Sequence, residues 1–184
     1  MLIMLLPIFL ILSIAIKLDS EGPALFRQVR VTQYGKQFKI FKFRTMANNA
    51  EKVGAQVTTK NDRRVTKIGY FLRRSRLDEL PQLFNIILGD MSFVGTRPEV
   101  AKYVERYTDE MMATLLLPAG ITSEASIQYK DEERLIFDTD NADKIYVEII
   151  LPKKMKLNLE SMEKFTFFGE LKIIVKTVLV VLRD

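Results

Sequence analysis

The chain has 184 residues, enough for one domain with a real core, and 48% of them are apolar, which excludes a disordered tail. It contains no cysteine and no histidine, so disulfides, thiolate nucleophiles, Cys-based zinc sites and Ser-His-Asp or Cys-His mechanisms are excluded. The net charge of +5 is uneven, with roughly 15 basic and 4 acidic residues between Lys17 and Arg76 and a remainder of about −6. A basic half implies an anionic partner: nucleic acid, anionic lipid or a phosphorylated substrate. Any catalysis has to rest on carboxylates, Lys, Arg, Tyr or a hard metal bound by oxygen.

Residues 1–16, MLIMLLPIFLILSIAI, carry no charge. The stretch is short for a bilayer span, which takes about 20 residues, and it lacks the basic start and cleavage site of a signal peptide. Pro7 kinks a helix here or starts one. Three readings fit: a re-entrant or interfacial membrane helix, the stump of a longer hydrophobic segment, or an ordinary buried helix. Lys17 and Asp19 mark where the chain would leave lipid. A turn follows at Gly22-Pro23. Arg27 to Met46 reads as a β-hairpin, with Val29 and Val31 alternating, a turn at Gln33-Tyr34-Gly35-Lys36 and a return strand from Phe38 to Phe43. Lys39, Lys42 and Arg44 would then lie along one edge.

Residues 47–66 are polar and read as a loop with a short helix. Lys67 to Ser75 places Ile68, Phe71 and Leu72 at helical spacing, with Arg73, Arg74 and Arg76 near the end, where cations suit the helix dipole. Pro81 to Leu88 is a short apolar helix ended by Gly89, Pro81 occupying the first turn. Gly89 to Glu99 reads as a turn-rich connection that carries Arg97 ahead of a helix over Val100 to Thr114. Pro118 to Ser123 is another turn, and the segments SIQYKDEERLIF and ADKIYVEIILPKKM suggest short helices. Gly169 to Arg183 is a last apolar helix with Lys172, Lys176 and Arg183 to one side, suited to the core or to a membrane surface. The fold class expected is α/β (α+β): a mostly helical single domain with a small hairpin and the hydrophobic N-terminal helix, divided as residues 1–18 and 19–184.

The chemistry concentrates in RRSRLDELPQ, Arg73 to Gln82. Asp78 and Glu79 fall at or just before a helix N-terminus, where backbone N–H groups and the dipole favour negative charge, phosphate included. An aspartate there is most often a cap. The arginines at 73, 76 and 97 give a second reading, because they can grip phosphate oxygens bidentately. A carboxylate attacking phosphorus gives an acyl phosphate. Mg²⁺ suits a site of one or two carboxylates and a diphosphate. Adjacent residues on a helix point about 100° apart, so one acid can be the nucleophile and the other can hold a cation.

The segments DSEGPALFRQVRV, FKIFKFRTM, LRRSRLDELPQLFNIILGDMSFVGTRPE and PAGIT, in this order, resemble the bacterial sugar transferase family, from about Pro7 to the C-terminus. These are monotopic phosphoglycosyl transferases that move a sugar 1-phosphate from a nucleotide sugar to polyprenol phosphate. The resemblance implies Asp78 as nucleophile and Glu79 as the acid associated with Mg²⁺. It places Arg73 and Arg97 in phosphate binding or in holding the site together, and Lys42, Arg44 and Arg76 near the phosphates. It further implies a re-entrant anchor bent at Pro7, attachment to the cytoplasmic face of a bacterial inner membrane, and a role in glycan assembly such as exopolysaccharide synthesis. The partners implied are a UDP-sugar, polyprenol phosphate and membrane lipid, with no nucleic acid; a homo-oligomer stays open. The chain differs from the family pattern in a short stretch before Pro7, which points to truncation or a shallow anchor, in Leu6 for a common Ser, in Thr96 for a Pro, and in SEASIQ after PAGIT. The alternative is a non-catalytic membrane scaffold or basic anion-binding module, which would release no nucleotide.

Overall fold

The computed structural model describes residues 2–48, 50, 62–132, 135–136 and 141–183. The first element is one helix, α1 (Leu2–Asp19), which runs through Pro7 rather than breaking there. Near a helix start, Pro7 leaves only one carbonyl without its donor. The helix buries Ile16 and rests Phe9 and Leu12 against Phe43 and Leu72, while Met4, Leu10, Ile11 and Leu18 stay exposed. Among the described residues, no helix is long and apolar enough to cross a membrane.

The polar end of α1 is tied down by charge. Asp19 Oδ2 accepts from Ile68 N at 3.0 Å, at the start of α2 (Lys67–Arg74), beside the Thr66 hydroxyl that caps Gly69 N. Arg44 does not join a basic edge. It is buried, and its guanidinium donates to the carbonyl oxygens of Ser20 at 2.6 Å and Glu21 at 2.8 Å, a cation just beyond the C-terminal end of a helix.

The expected hairpin is formed by β1 (Leu25–Val31) and β2 (Gln37–Phe43), antiparallel, with Val29 opposite Lys39. On β2, Phe38, Ile40 and Lys42 share one face by the two-residue period, whereas Lys39 faces the other way. Phe38 and Ile40 are buried against Met91, and Lys42 therefore points inward with them. The segment over residues 51–61, expected as loop and short helix, lies outside the described residues.

After α2 the chain reverses at Arg76, whose φ of 55° is left-handed, and enters a single 3₁₀ turn, Leu77–Glu79. Then comes α3 (Gln82–Ile87), with Pro81 before it. Neither acid caps α3. Asn85 of α3 is fully buried and acts as a surrogate strand: its Nδ2 donates to Lys39 O and its Oδ1 accepts from Phe41 N, both at 2.9 Å. That pair closes the free edge of β2.

Two stretches expected as turns are strands. β3 (Met91–Val94) and β4 (Ala119–Thr122) pair in parallel, Met91 beside Ala119 and Val94 beside Thr122. Thr32 docks the hairpin on them, donating to Asp90 O and accepting from Ala119 N. Where the strands end, Gly95 and Gly120 press backbone to backbone: a Cβ on Gly120 would stand 2.1 Å from Gly95 N. The helix expected from Val100 is two short ones, α4 (Ala101–Val104) and α5 (Asp109–Met112), because Thr108 starts a new helix by capping Met111 N.

The short α6 (Glu124–Gln128) follows β4. Residues 142–163 then form one continuous helix rather than a short one: α7 (Ala142–Ile145), a π turn over Tyr146–Ile150, and α8 (Leu151–Glu163). The wider turn relieves the crowding that Pro152 would otherwise impose. Leu151, Lys154, Met155 and Asn158 fall on its buried stripe, and the largest core gathers Val100, Tyr103, Tyr146, Ile150 and Leu151. The last helix, α9 (Phe167–Arg183), has no fully buried face. Among the described residues, two side-chain hydrogen bonds tie it to the rest: Thr122 Oγ1 to Thr177 Oγ1 at 2.7 Å, and Lys176 to Glu124 at 2.6 Å.

Asn85→Ala leaves a partly buried N–H, of Phe41, and a partly buried carbonyl, of Lys39, without partners. Urea unfolding should show a loss of about 2–4 kcal/mol, each orphaned group costing roughly 1–3 kcal/mol.

Candidate active site

Six of the sequence-predicted residues, Lys42, Arg73, Arg76, Asp78, Glu79 and Arg97, line one cavity of about 530 Å³. Three structural devices put them there. The inward face of β2 supplies Lys42. The left-handed Arg76 turns the chain so that the 3₁₀ turn aims both acids inward, at the strain cost that such residues carry near functional sites. Beyond β3, Arg97 follows the glycine contact, on a loop fixed by Val31 N donating to Glu99 O at 2.9 Å and Arg30 Nη1 donating to Pro98 O at 3.2 Å. Arg44 lies elsewhere, on the end of α1, and Pro7 is not among the lining residues.

The two acids have opposite environments. Glu79 Oε1 accepts from Arg97 Nη2 at 2.5 Å and from Lys42 Nζ at 3.0 Å. Burial alone would raise its pKa, but Arg97 and Lys42 outweigh burial and hold it well below the ordinary value. Asp78 is 7% exposed and its Oδ1 has no hydrogen-bond partner. Burial, and then the negative charge of Glu79, push its carboxyl up to about 6, against the pull of Lys42, Arg73 and Arg76. The pair thus gives up its protons in two well-separated steps, Glu79 first. Burial lowers the Lys42 pKa against the pull of Glu79.

The far side of the cavity holds a second polar group that sequence reasoning missed. Tyr146 donates to Glu99 Oε1; Lys154 Nζ donates to Tyr146 Oη at 3.2 Å and to Glu132 Oε2 at 2.8 Å. Arg30 Nη1 stands 3.8 Å from Glu99 Oε2. Burial, then Glu99, hold the Tyr146 hydroxyl well above its usual pKa, so it stays a donor. Lys154 carried a signal: helical spacing places it on the same stripe as Leu151 and Met155. Arg30 and Glu99 carried none, being charges in strand and loop with distant partners.

Seven cationic and four acidic side chains line the cavity, so it is net positive and suits a ligand with more than one negative charge. Among the described residues there is no cluster of three acidic side chains for a metal held by protein alone. The ionised Glu79 nevertheless fits Mg²⁺ as it is held with phosphates: a carboxylate, with substrate oxygens and water completing the shell.

Compared with known protein families, the whole chain, residues 1–184, matches the one described as Bacterial sugar transferase. The chain belongs to that family. It is 40% identical over 182 residues to a UDP-glucose:undecaprenyl-phosphate glucose-1-phosphate transferase of Klebsiella pneumoniae, covering 96% of this chain and 36% of the relative. A protein of the same description from Escherichia coli K12 is 37% identical over 181 residues, with 96% and 36% covered. A UDP-N-acetylgalactosamine-undecaprenyl-phosphate N-acetylgalactosaminephosphotransferase of Aeromonas hydrophila is 45% identical over 105 residues, 57% of this chain and 25% of the relative. The chain therefore spans about a third or less of the length of these curated relatives.

A raised carboxyl pKa makes Asp78 a stability liability. The folded chain holds this proton up to about 6 and the unfolded chain only to about 3.8. Stability from this group is full below the lower value and is lost as pH rises through the upper one. Asp78→Asn should therefore melt higher than the parent at pH 8, with the gap closing as pH falls from 6 to 4; differential scanning fluorimetry across that range checks it.

Proposed function

We propose that the chain transfers a sugar 1-phosphate from a UDP-sugar to a polyprenyl phosphate through a covalent aspartyl intermediate. The observation that carries this reading is Asp78: a buried carboxylate with an unpartnered oxygen, facing a cationic cavity, beside an acid already clamped by Arg97 and Lys42. The relatives' descriptions support the two substrates: each is described as acting with undecaprenyl phosphate and a UDP-sugar.

In this mechanism an Asp78 carboxylate oxygen attacks the sugar-bearing phosphorus. The bond from that phosphorus to the bridging oxygen breaks, and UMP leaves with the electron pair. The sugar phosphate is then an acyl phosphate on Asp78. An oxygen of polyprenyl phosphate attacks the same phosphorus, the bond to Asp78 breaks, and the products are a polyprenyl-diphosphate sugar and a free carboxylate. Neither step needs a proton carrier, which accords with a chain without histidine. Arg73, Arg76 and Arg97 supply fixed positive charge where the diphosphate sits, the kind of preorganised stabilisation that phosphoryl transfer relies on. Glu79 would hold Mg²⁺, which neutralises diphosphate charge when bound.

The exposed apolar residues of α1, with Ile87 of α3 and Leu88 just after it, support attachment to a membrane, where a polyprenyl substrate resides. The sidedness that follows is the cytoplasmic face, since nucleotide sugars are cytoplasmic substrates.

UMP release from UDP-sugars tests the reading. Asp78→Asn should lower it by about a thousandfold or more, the scale seen when a covalent nucleophile is removed; substantial retained transfer sinks the assignment. With the parent chain, kcat/KM for UMP release should fall as pH drops below about 6, where Asp78 holds its proton, and level off above it. A rate that is flat from pH 5 to 8 assigns the attack to another group.

A further inference from the structure

The chemistry above uses the charged part of the cavity and leaves its apolar wall without a role. That wall is Phe93, Ile121 and Ile127, faced by Ile174, Val178 and Val181 of α9. A second cavity of about 620 Å³ lies beside it, between β3 and the turn from α8 into α9. Phe93 and Ile174 line both cavities, so the two adjoin at these side chains. Its lining includes Ile86, Met91, Met162 and Leu171. Two of its serines already have partners: Ser92 donates to Val94 O at 2.6 Å, and Ser123 accepts from Ser126 N at 3.1 Å. At its rim, Phe165 and Phe167 are 60% and 73% exposed, and Phe168 meets Phe167 edge-on at 5.6 Å.

We propose that this passage beneath α9 receives the isoprenoid chain of the acceptor. The first units lie along the apolar wall of the catalytic cavity, and the following ones pass Phe93 and Ile174 into the second cavity. The inference rests on the transfer to polyprenyl phosphate proposed above. Two features of these cavities single out this occupant. The polarity runs in the right order: Lys42, Arg73 and Arg76 act on Asp78, and the surfaces leading away from it are largely aliphatic and aromatic, interrupted in the second cavity by Thr96, Asn158, Ser161 and Glu170, matching a ligand with one phosphate head and an uncharged hydrocarbon tail. A nucleotide sugar has no such tail, and its polar parts gain nothing there. The passage also opens at exposed aromatic residues, which suit a mouth that meets lipid. The roof is α9, held by the contacts of Thr177 and Lys176 and without a buried face of its own, so its inward residues remain available to a ligand.

The test compares undecaprenyl phosphate with geranyl phosphate as acceptors. Ile174→Trp fills the neck between the cavities. It should raise KM for undecaprenyl phosphate by about tenfold relative to KM for geranyl phosphate, since only the long chain has units to lose from the second cavity. Leu171→Trp, at a half-exposed position in the outer cavity, should change the same ratio in the same direction and is the variant to rely on if the first does not fold, as judged by its melting transition. A KM ratio unchanged in folded variants overturns the passage. A parent chain that releases UMP but shows no preference for the longer acceptor overturns it as well. A parent chain that releases no UMP from any UDP-sugar overturns the transfer reading itself, and the passage with it.

Discussion

The carboxylate of Glu79 is the point where three separate parts of the chain meet. Lys42 comes from the hairpin, Arg97 from the loop after β3, and Glu79 itself from the 3₁₀ turn between α2 and α3. Two cations on one oxygen make a network that is costly to desolvate, so its value lies less in net stability than in fixing positions. With Glu79 ionised, its neighbour inherits the opposite condition. Asp78, buried and beside an existing negative charge, cannot easily lose its proton, and its pKa rises accordingly. The clamped acid therefore adds to what burial does to its neighbour.

The clamp depends on parts that never touch the acids. Asn85 binds β2 edge-on, which holds Lys42 at the height of the 3₁₀ turn. Tyr146, supported by Lys154, holds Glu99, two residues beyond Arg97, and Val31 holds its backbone. The π turn begins at Tyr146. Such a widened turn re-aims side chains along a helix, and here the long helix over residues 142–163 reaches the site through that residue and Lys154. The C-terminal half of the chain thereby contributes to the placement of an arginine near its middle.

Local patterns were legible in the sequence: the hairpin, α2, the proline before α3 and the acidic pair each carry their signal within a few residues. What was not legible depended on distant partners. MSFV and AGIT are four-residue strands amid turn residues, and each is a strand only because the other lies beside it. Lys42 and Arg44 look alike as basic residues of one strand end. Their fates diverge because the pleat turns Lys42 toward Glu79, while the chain beyond β2 carries Arg44 to the carbonyls of α1. Asp19 accepts an N–H at the start of α2, a partner far away in the chain. The role of α9 as a wall of the cavity could not be read from its amphipathic pattern, which a core or a membrane would satisfy equally.

The backbone contact of Gly95 with Gly120 separates the two sides of the cavity mechanically. On one side, any added side chain meets main chain, so β3, β4 and the arginine loop form a fixed jaw that tolerates little change. Opposite stands α9, fastened by two side-chain contacts and largely solvent-facing, an adjustable jaw whose residues can be exchanged without disturbing a core. Diversification of such a scaffold is channelled accordingly: the shape of the bound molecule can drift along α9 while the geometry around the acids stays constant.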